Sequence, residues 1–211
     1  MTLMVWLMNL FKCSCMRLTI FTTPLLSPLL KRFSRLILHL AGWKLLGEMP
    51  SNTPKSVIIA APHTSNWDLP YTLLVAFALE LNIHWMGKIQ IFRFPFKGVM
   101  YWLGGIAIDR SKSSNTVSAS AQALRQAAGE LHLVIPPEGT RAQSRQWKTG
   151  FYYIALEAQV PIVLGFLDFG SKTSGLGPAF VPTGDLDADM AMIKNFYAPF
   201  CGKNAAQFVL E

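Results

Sequence analysis

The chain has 211 residues, enough for one domain with a sizeable core. Half of them (51%) are apolar and only 15% are charged, against about a quarter in ordinary soluble domains, so part of the surface is expected to meet lipid. The net charge of +7 suits an anionic membrane or a phosphorylated ligand; nucleic acid is set aside, because neither zinc-finger spacing nor an aromatic–basic RNA motif occurs.

Residues 1–47 differ in kind from the rest. Residues 1–11 are almost wholly apolar, and a second apolar run over 18–30 is broken by Pro24 and Pro28. Neither run supplies the roughly twenty continuous apolar residues that a membrane-crossing helix needs. No basic residue precedes the first run, which argues against a cleaved leader. Over 31–46, Phe33, Leu36, Ile37, Leu40 and Trp43 or Lys44 recur at helical spacing, with Arg32, Arg35 and His39 off the stripe. That pattern predicts an amphipathic helix, lying in the interface of an anionic membrane or packed on the core. Cys13, Cys15 and Cys201 are odd in number and lack metal-type spacing, so neither a disulfide framework nor a zinc site is expected.

From Glu48 onward, apolar strand-like runs alternate with helical ones. Strands are predicted over 57–61, 83–86, 105–109, 131–135, 161–168 and 179–181, and helices over 69–81, 115–129, 149–159 and 187–197. The alternation argues for an α/β layered sheet flanked by helices. His132 falls inside an apolar run and is read as a satisfied core residue. In Ile91-Phe92-Arg93-Phe94-Pro95-Phe96-Lys97, three phenylalanines interleave with basic residues. They fit a headgroup-level contact, the lining of an acyl-chain entrance, or core packing beside snorkelling cations.

Two islands carry chemistry. His63-Thr64-Ser65-Asn66-Trp67-Asp68 follows the strand 57–61 and precedes the helix 69–81. Within a regular helix His63 and Asp68 would diverge by about 140°, so they meet only if His63 sits on the loop and Asp68 near the helix start, as a cap. A carboxylate there fixes the imidazole tautomer and stabilises its protonated form, which makes a general base. The second island, Pro136-Pro137-Glu138-Gly139-Thr140-Arg141, follows the strand 131–135. Its prolines stop sheet pairing, Gly139 permits unusual backbone angles, and Arg141 offers a planar guanidinium for phosphate. Arg145 and Lys148 add positive potential, or form a solvated face. No Gly-x-Ser-x-Gly elbow occurs and no cysteine stands beside His63, so a covalent intermediate on serine or cysteine is not favoured.

Together these blocks resemble the lysophosphatidic acid acyltransferase family, the membrane-associated glycerolipid acyltransferases. His63 and Asp68 match its His-four-spacers-Asp block, and Gly105-Ile106-Ala107-Ile108-Asp109-Arg110 is similar to the second block, which ends in arginine. Pro137-Glu138-Gly139-Thr140-Arg141 matches the third, and Val160-Pro161-Ile162-Val163 resembles the apolar fourth. The resemblance implies a glycerol-3-phosphate acyltransferase-like fold over 48–211, with 1–47 as a membrane-associating helical arm. It implies that His63 is the base and Asp68 its partner. Arg110, Glu138, Gly139, Thr140 and Arg141 would bind the acceptor's glycerol-phosphate part.

The implied reaction moves an acyl group from acyl-CoA or acyl-ACP to a lysophospholipid, 1-acyl-glycerol-3-phosphate giving phosphatidic acid, in phospholipid biosynthesis. The donor is a co-substrate, and no metal or resident cofactor is expected. The expected partners are the two substrates, an anionic membrane surface and, for a carrier-bound donor, acyl carrier protein. The expected location is the cytoplasmic face of a membrane, held peripherally or monotopically. Competing readings are an acyltransferase for another lyso-lipid, a hydrolase that passes the acyl group to water, and a lipid-binding protein without turnover.

Overall fold

A computed structural model describes residues 18–108 and 113–210. In chain order these form α1 (Leu26–Leu40), β1 (Lys44–Leu46), β2 (Lys55–Ala61), α2 (Asp68–Ala78), β3 (Ile83–Lys88), α3 (Lys97–Trp102) and β4 (Gly105–Ile108). There follow α4 (Ser113–Gln126), β5 (Leu131–Ile135), α5 (Gly150–Ala158), β6 (Ile162–Asp168), β7 (Thr173–Phe180) and α6 (Leu186–Tyr197). Among the described residues, seven strands form one sheet in the order β1-β7-β6-β2-β5-β3-β4. β6, β2, β5, β3 and β4 run parallel, β7 pairs antiparallel with β6, and β1 pairs parallel with β7. The expected α/β layering is what the chain adopts.

The period of two along β2 explains how the sheet is sandwiched. Val57, Ile59 and Ala61 join a core with Leu124 of α4, Phe151 and Tyr152 of α5 and Ile193 of α6. Ile58 faces the other way, with Ala76 and Phe77 of α2 and Val163 and Leu176 of the sheet. β6 is buried along its whole length, the mark of a central strand covered on both faces. Each fully buried side chain such as Phe151 or Ile154 contributes about 1.5–3 kcal/mol through removal from water. His132 is buried as expected, with Nδ1 2.8 Å from Ser56 Oγ and Nε2 2.7 Å from Glu130 Oε1. Burial pushes its pKa down against the pull of Glu130, which keeps the ring neutral.

The single helix expected over 31–46 needs correction. α1 begins earlier, at Leu26, because Pro28 falls in its first turn, where the missing N–H breaks no helical bond. It stops at Leu40, where Gly42 adopts φ 76° and Trp43 N–H turns back to Leu38 O at 2.8 Å. Lys44–Leu46 then pair with β7 instead of continuing the helix. α1 buries Ser34 and Leu38 and packs on α2, yet leaves Leu29, Phe33, Leu36 and Leu40 exposed at helical spacing. Among the described residues no helix is long and apolar enough to cross a membrane. The apolar run 1–11, with Cys13 and Cys15, lies outside the described residues. The last strand is longer than the predicted 179–181, spanning Thr173–Phe180, since its glycines and serine mask the apolar alternation. The 105–109 strand is seen to Ile108.

Candidate active site

The chain leaves β2 through α2 on one face of the sheet, toward β3, and leaves β5 through α5 on the other face, toward β6. β2 and β5 are neighbours, so their outgoing connections diverge and open a crevice at their carboxyl ends. His63 stands just past the end of β2 and Glu138 just past the end of β5. The fold thus brings two residues 75 positions apart to one place, and Glu138 Oε1 accepts the His63 backbone N–H at 2.9 Å.

The imidazole meets its acid. His63 Nδ1 lies 3.2 Å from Asp68 Oδ2, with the His63 side chain 19% exposed and Asp68 only 4%. The carboxylate is sealed, and the imidazole keeps an open side. With Nδ1 donating to Asp68, Nε2 is the nitrogen left to accept a proton. Burial alone would raise the Asp68 pKa, but hydrogen bonds from His63 and from the N–H and hydroxyl of Ser65 outweigh it and hold the group below its usual range.

Asp68 was expected to cap its helix; it is instead the first helical residue. Its carboxylate turns back to accept Ser65 N–H and Ser65 Oγ–H, both at 2.7 Å, while Ser65 Oγ accepts Trp67 N–H at 3.1 Å. That reciprocity is a capping-box pattern set one turn ahead of the regular helix. The Ser-x-x-Asp spacing inside the motif was the signal for Ser65, a residue the sequence reading passed over. Ser65 thereby engages both carboxylate oxygens, which holds the acid against rotation while Oδ2 also faces His63.

Glu138 was expected to bind substrate. Its visible task is to tie the second island to the first, through the His63 N–H. The side chain is 4% exposed, and its second oxygen, Oε2, is buried without a hydrogen-bond partner among the described residues. Desolvation pushes its pKa up, against the pull of its own N–H, the His63 N–H and the His63 ring. Gly139 has φ 65°, and an added Cβ would stand 2.7 Å from Lys148 Nζ. The missing side chain therefore lets the Lys148 chain lie across the turn, which is held by Lys148 N–H to Pro137 O at 2.8 Å. Lys148 is exposed, as a solvated cation would be, and its side chain lies against the Gly139 turn. Thr140 and Arg141 are exposed on the same turn, and Thr140 Oγ1 accepts Ala142 N–H at 3.2 Å. Arg110 lies outside the described residues.

The C-terminal segment closes the site, and nothing in the sequence announced it. Asn204 donates from Nδ2 to Thr64 O at 2.8 Å and from its backbone N–H to Thr64 Oγ1 at 3.2 Å. With its amide nitrogen turned to donate, Gln207 reaches both Thr64 O and Arg141 O at 2.7 Å. One side chain thus bridges the histidine loop and the arginine turn, which makes them neighbours. Gly202 packs so tightly on Thr64 that a Cβ there would lie 2.5 Å from Thr64 Oγ1. Lys203 Nζ sits 4.6 Å from the ring centre of the exposed Trp67.

Two apolar hollows border these groups. One, of about 60 Å³, touches His63 and Asp68 and is lined by Ile58, Thr72, Val75 and Leu176. The other, of about 650 Å³ on the opposite face, touches Gly139 and Lys148 and is lined by Met86, Val117, Phe151 and Ile154. Among the described residues no group of three or more His, Cys, Asp or Glu side chains is gathered to hold a metal. The arrangement offers an oriented base, an adjoining turn that carries Arg141, and apolar space.

The sequence model of the family described as Acyltransferase matches residues 46–163. A 1-acyl-sn-glycerol-3-phosphate acyltransferase of Haemophilus influenzae is 32% identical over 108 residues, covering 48% of this chain and 43% of that protein. A probable 1-acyl-sn-glycerol-3-phosphate acyltransferase of Mycoplasma pneumoniae is 33% identical over 140 residues, covering 63% of this chain and 52% of its own length. The chain spans about half the length of the curated relatives it matches. The crystal structure of the 1-acyl-sn-glycerophosphate (LPA) acyltransferase PlsC from Thermotoga maritima shares the fold, with TM-score 0.56 over 92% of this chain and 85% of that chain at 14% identity.

Proposed function

This chain belongs to the acyltransferase family, and from that premise we propose that it moves an acyl group from an acyl thioester to the free hydroxyl of a lysophospholipid. Acyl-CoA and acyl-ACP both fit the donor, and 1-acyl-glycerol-3-phosphate, giving phosphatidic acid for phospholipid biosynthesis, is the acceptor we favour. The relatives' names support the acceptor, as do Arg141 and Lys148, which the Glu138 turn and the strand-end segment after it carry. The observation that carries the reading is the His63–Asp68 pair at 3.2 Å, tied through Glu138 to the turn that bears Arg141.

In the proposed step, His63 Nε2 takes the proton of the acceptor hydroxyl as its oxygen attacks the thioester carbonyl. Asp68 stabilises the resulting imidazolium. The tetrahedral centre collapses, the carbon–sulfur bond breaks, and the proton passes from His63 to the departing thiolate. Arg141, with Lys148 across Gly139, holds the acceptor phosphate; Arg110 and Thr140 are proposed to join them. The larger apolar hollow, of about 650 Å³ beside Gly139 and Lys148, has room for an acyl chain. We assign α1 to the interface of an anionic membrane on its cytoplasmic side. Its exposed Leu29, Phe33, Leu36 and Leu40 lie on a helix that also carries Lys31, Arg32 and Arg35.

The test is purified full-length chain with a labelled acyl thioester and a panel of lyso-lipids. Acylated lysophosphatidate is expected, and His63→Ala should lower its rate by roughly three orders of magnitude or more. Release of free fatty acid with no acylated lipid would overturn the reading in favour of a hydrolase.

A further inference from the structure

We infer that residues 89–99, the excursion that follows β3, form a second docking surface for an anionic lipid bilayer on the rim of the active site. The inference rests on the reading above that the acceptor is a lipid. β3 runs parallel with β5, and β5 with β2, so the chain emerges from β3 at the same sheet edge as His63 and Glu138. It makes one 3-10 turn (Ile89–Phe92) and re-enters the fold through α3.

The three phenylalanines of this excursion divide sharply. Phe92 is 5% exposed and packs on Trp85 and Tyr101 with ring centres 5.9 and 5.0 Å away. Phe94 is 95% exposed and Phe96 63%, joined by exposed Ile89, Ile91 and Val99. Single exposed apolar residues are ordinary, but five within the eleven residues of one excursion mark an interaction surface. Phe92 serves as its foot, so the two outer rings are presented on an anchored base.

Charge selects the occupant. Arg93 and Lys97 are exposed among the apolar side chains, and the stretch from Lys88 to Ile108 contains no Asp or Glu. Aromatic rings that can enter the acyl boundary, interleaved with cations at headgroup level, complement an anionic bilayer. A second copy of the chain is a poor match, because each carries a net +7. A lyso-lipid leaving a bilayer at this rim would reach His63 without crossing open water.

Amide hydrogen exchange of the full chain, with vesicles of phosphatidylglycerol and separately of phosphatidylcholine, tests this directly. Exchange over 89–99 is expected to slow several-fold on phosphatidylglycerol alone. Phe94→Ser with Phe96→Ser should abolish that protection and weaken vesicle sedimentation about tenfold or more. Arg93→Gln with Lys97→Gln should flatten its salt dependence. Unchanged exchange over 89–99 on phosphatidylglycerol vesicles, or equal protection on phosphatidylcholine, overturns the surface. Acylation of a short-chain lysophosphatidate dissolved as monomer should survive the phenylalanine changes. If the unaltered chain acylates nothing, the reaction is refuted while the exchange data still decide the surface.

Discussion

Gly202→Ala probes whether the C-terminal segment positions the base. The added Cβ would stand 2.5 Å from Thr64 Oγ1, 2.7 Å from Thr64 Cγ2 and 3.2 Å from Pro62 Cβ, so the crowding falls on both neighbours of His63. Thr64 must withdraw by about half an ångström or rotate, as in other overpacked cores. Rotation surrenders the Asn204 N–H bond to Oγ1, now 3.2 Å long. Overpacking and the lost bond together cost about 1–3 kcal/mol, which lowers the melting temperature by roughly 3–10 °C in a chain of this size. The larger effect is expected on turnover, since a base displaced by about 1 Å can lose roughly a hundredfold in rate. Steady-state kinetics of acyl transfer, with a melting curve for each variant, measures both. kcat should fall by about one to two orders of magnitude with KM nearly constant, because the acceptor's cations are untouched. Thr64→Ala removes both crowding atoms, so Gly202→Ala with Thr64→Ala should recover most of the rate. Unchanged kcat in Gly202→Ala, or no recovery in the double variant, would refute the claim that this contact holds His63 in place.

Three further outcomes follow from the site. Asp68→Asn should lower kcat by roughly three to four orders of magnitude, by analogy with triads that lose their acid. The Asp68 pKa is depressed in the fold, so its contribution to stability is full above the ordinary carboxylate range and lost as pH falls through the folded value. The melting-temperature gap between parent and Asp68→Asn should therefore narrow in acid; a gap independent of pH would contradict it. Glu138 is the opposite case: its raised pKa means that ionisation opposes folding, so stability declines as pH rises from the ordinary range through the folded value. Glu138→Gln can keep the bond to His63 N–H, and should match or exceed the parent's melting temperature at pH 8 and lose that edge near pH 4, in thermal scans across pH. Gly139→Ala meets both φ 65° and Lys148 Nζ 2.7 Å from the new Cβ. Folding should weaken by about 1 kcal/mol through the left-handed backbone, and KM for the acceptor should rise more than kcat falls as Lys148 is displaced.

Much of this protein is legible along the chain. The apolar runs of β2, β5 and β6 announced themselves, because strands buried on both faces have few polar residues to interrupt them. His63 and Asp68 were legible because their partnership is local: five positions and one strand-to-helix turn contain it. The unusual backbone of Gly139 was legible because turn chemistry is written in residue type. β7 was under-read, since its glycines carry no hydropathy signal, and Lys44–Leu46 were misread as helix because a three-residue edge strand is defined by its partner, not by its own period. Tertiary structure alone decided that Glu138 would hold the His63 backbone across 75 positions, and that Asn204 and Gln207 would clasp Thr64 and Arg141. Such contacts depend on which strand lies beside which and where the chain's end returns. Pairing across a sheet is fixed by the summed packing of the whole core, and no short stretch of residues encodes it.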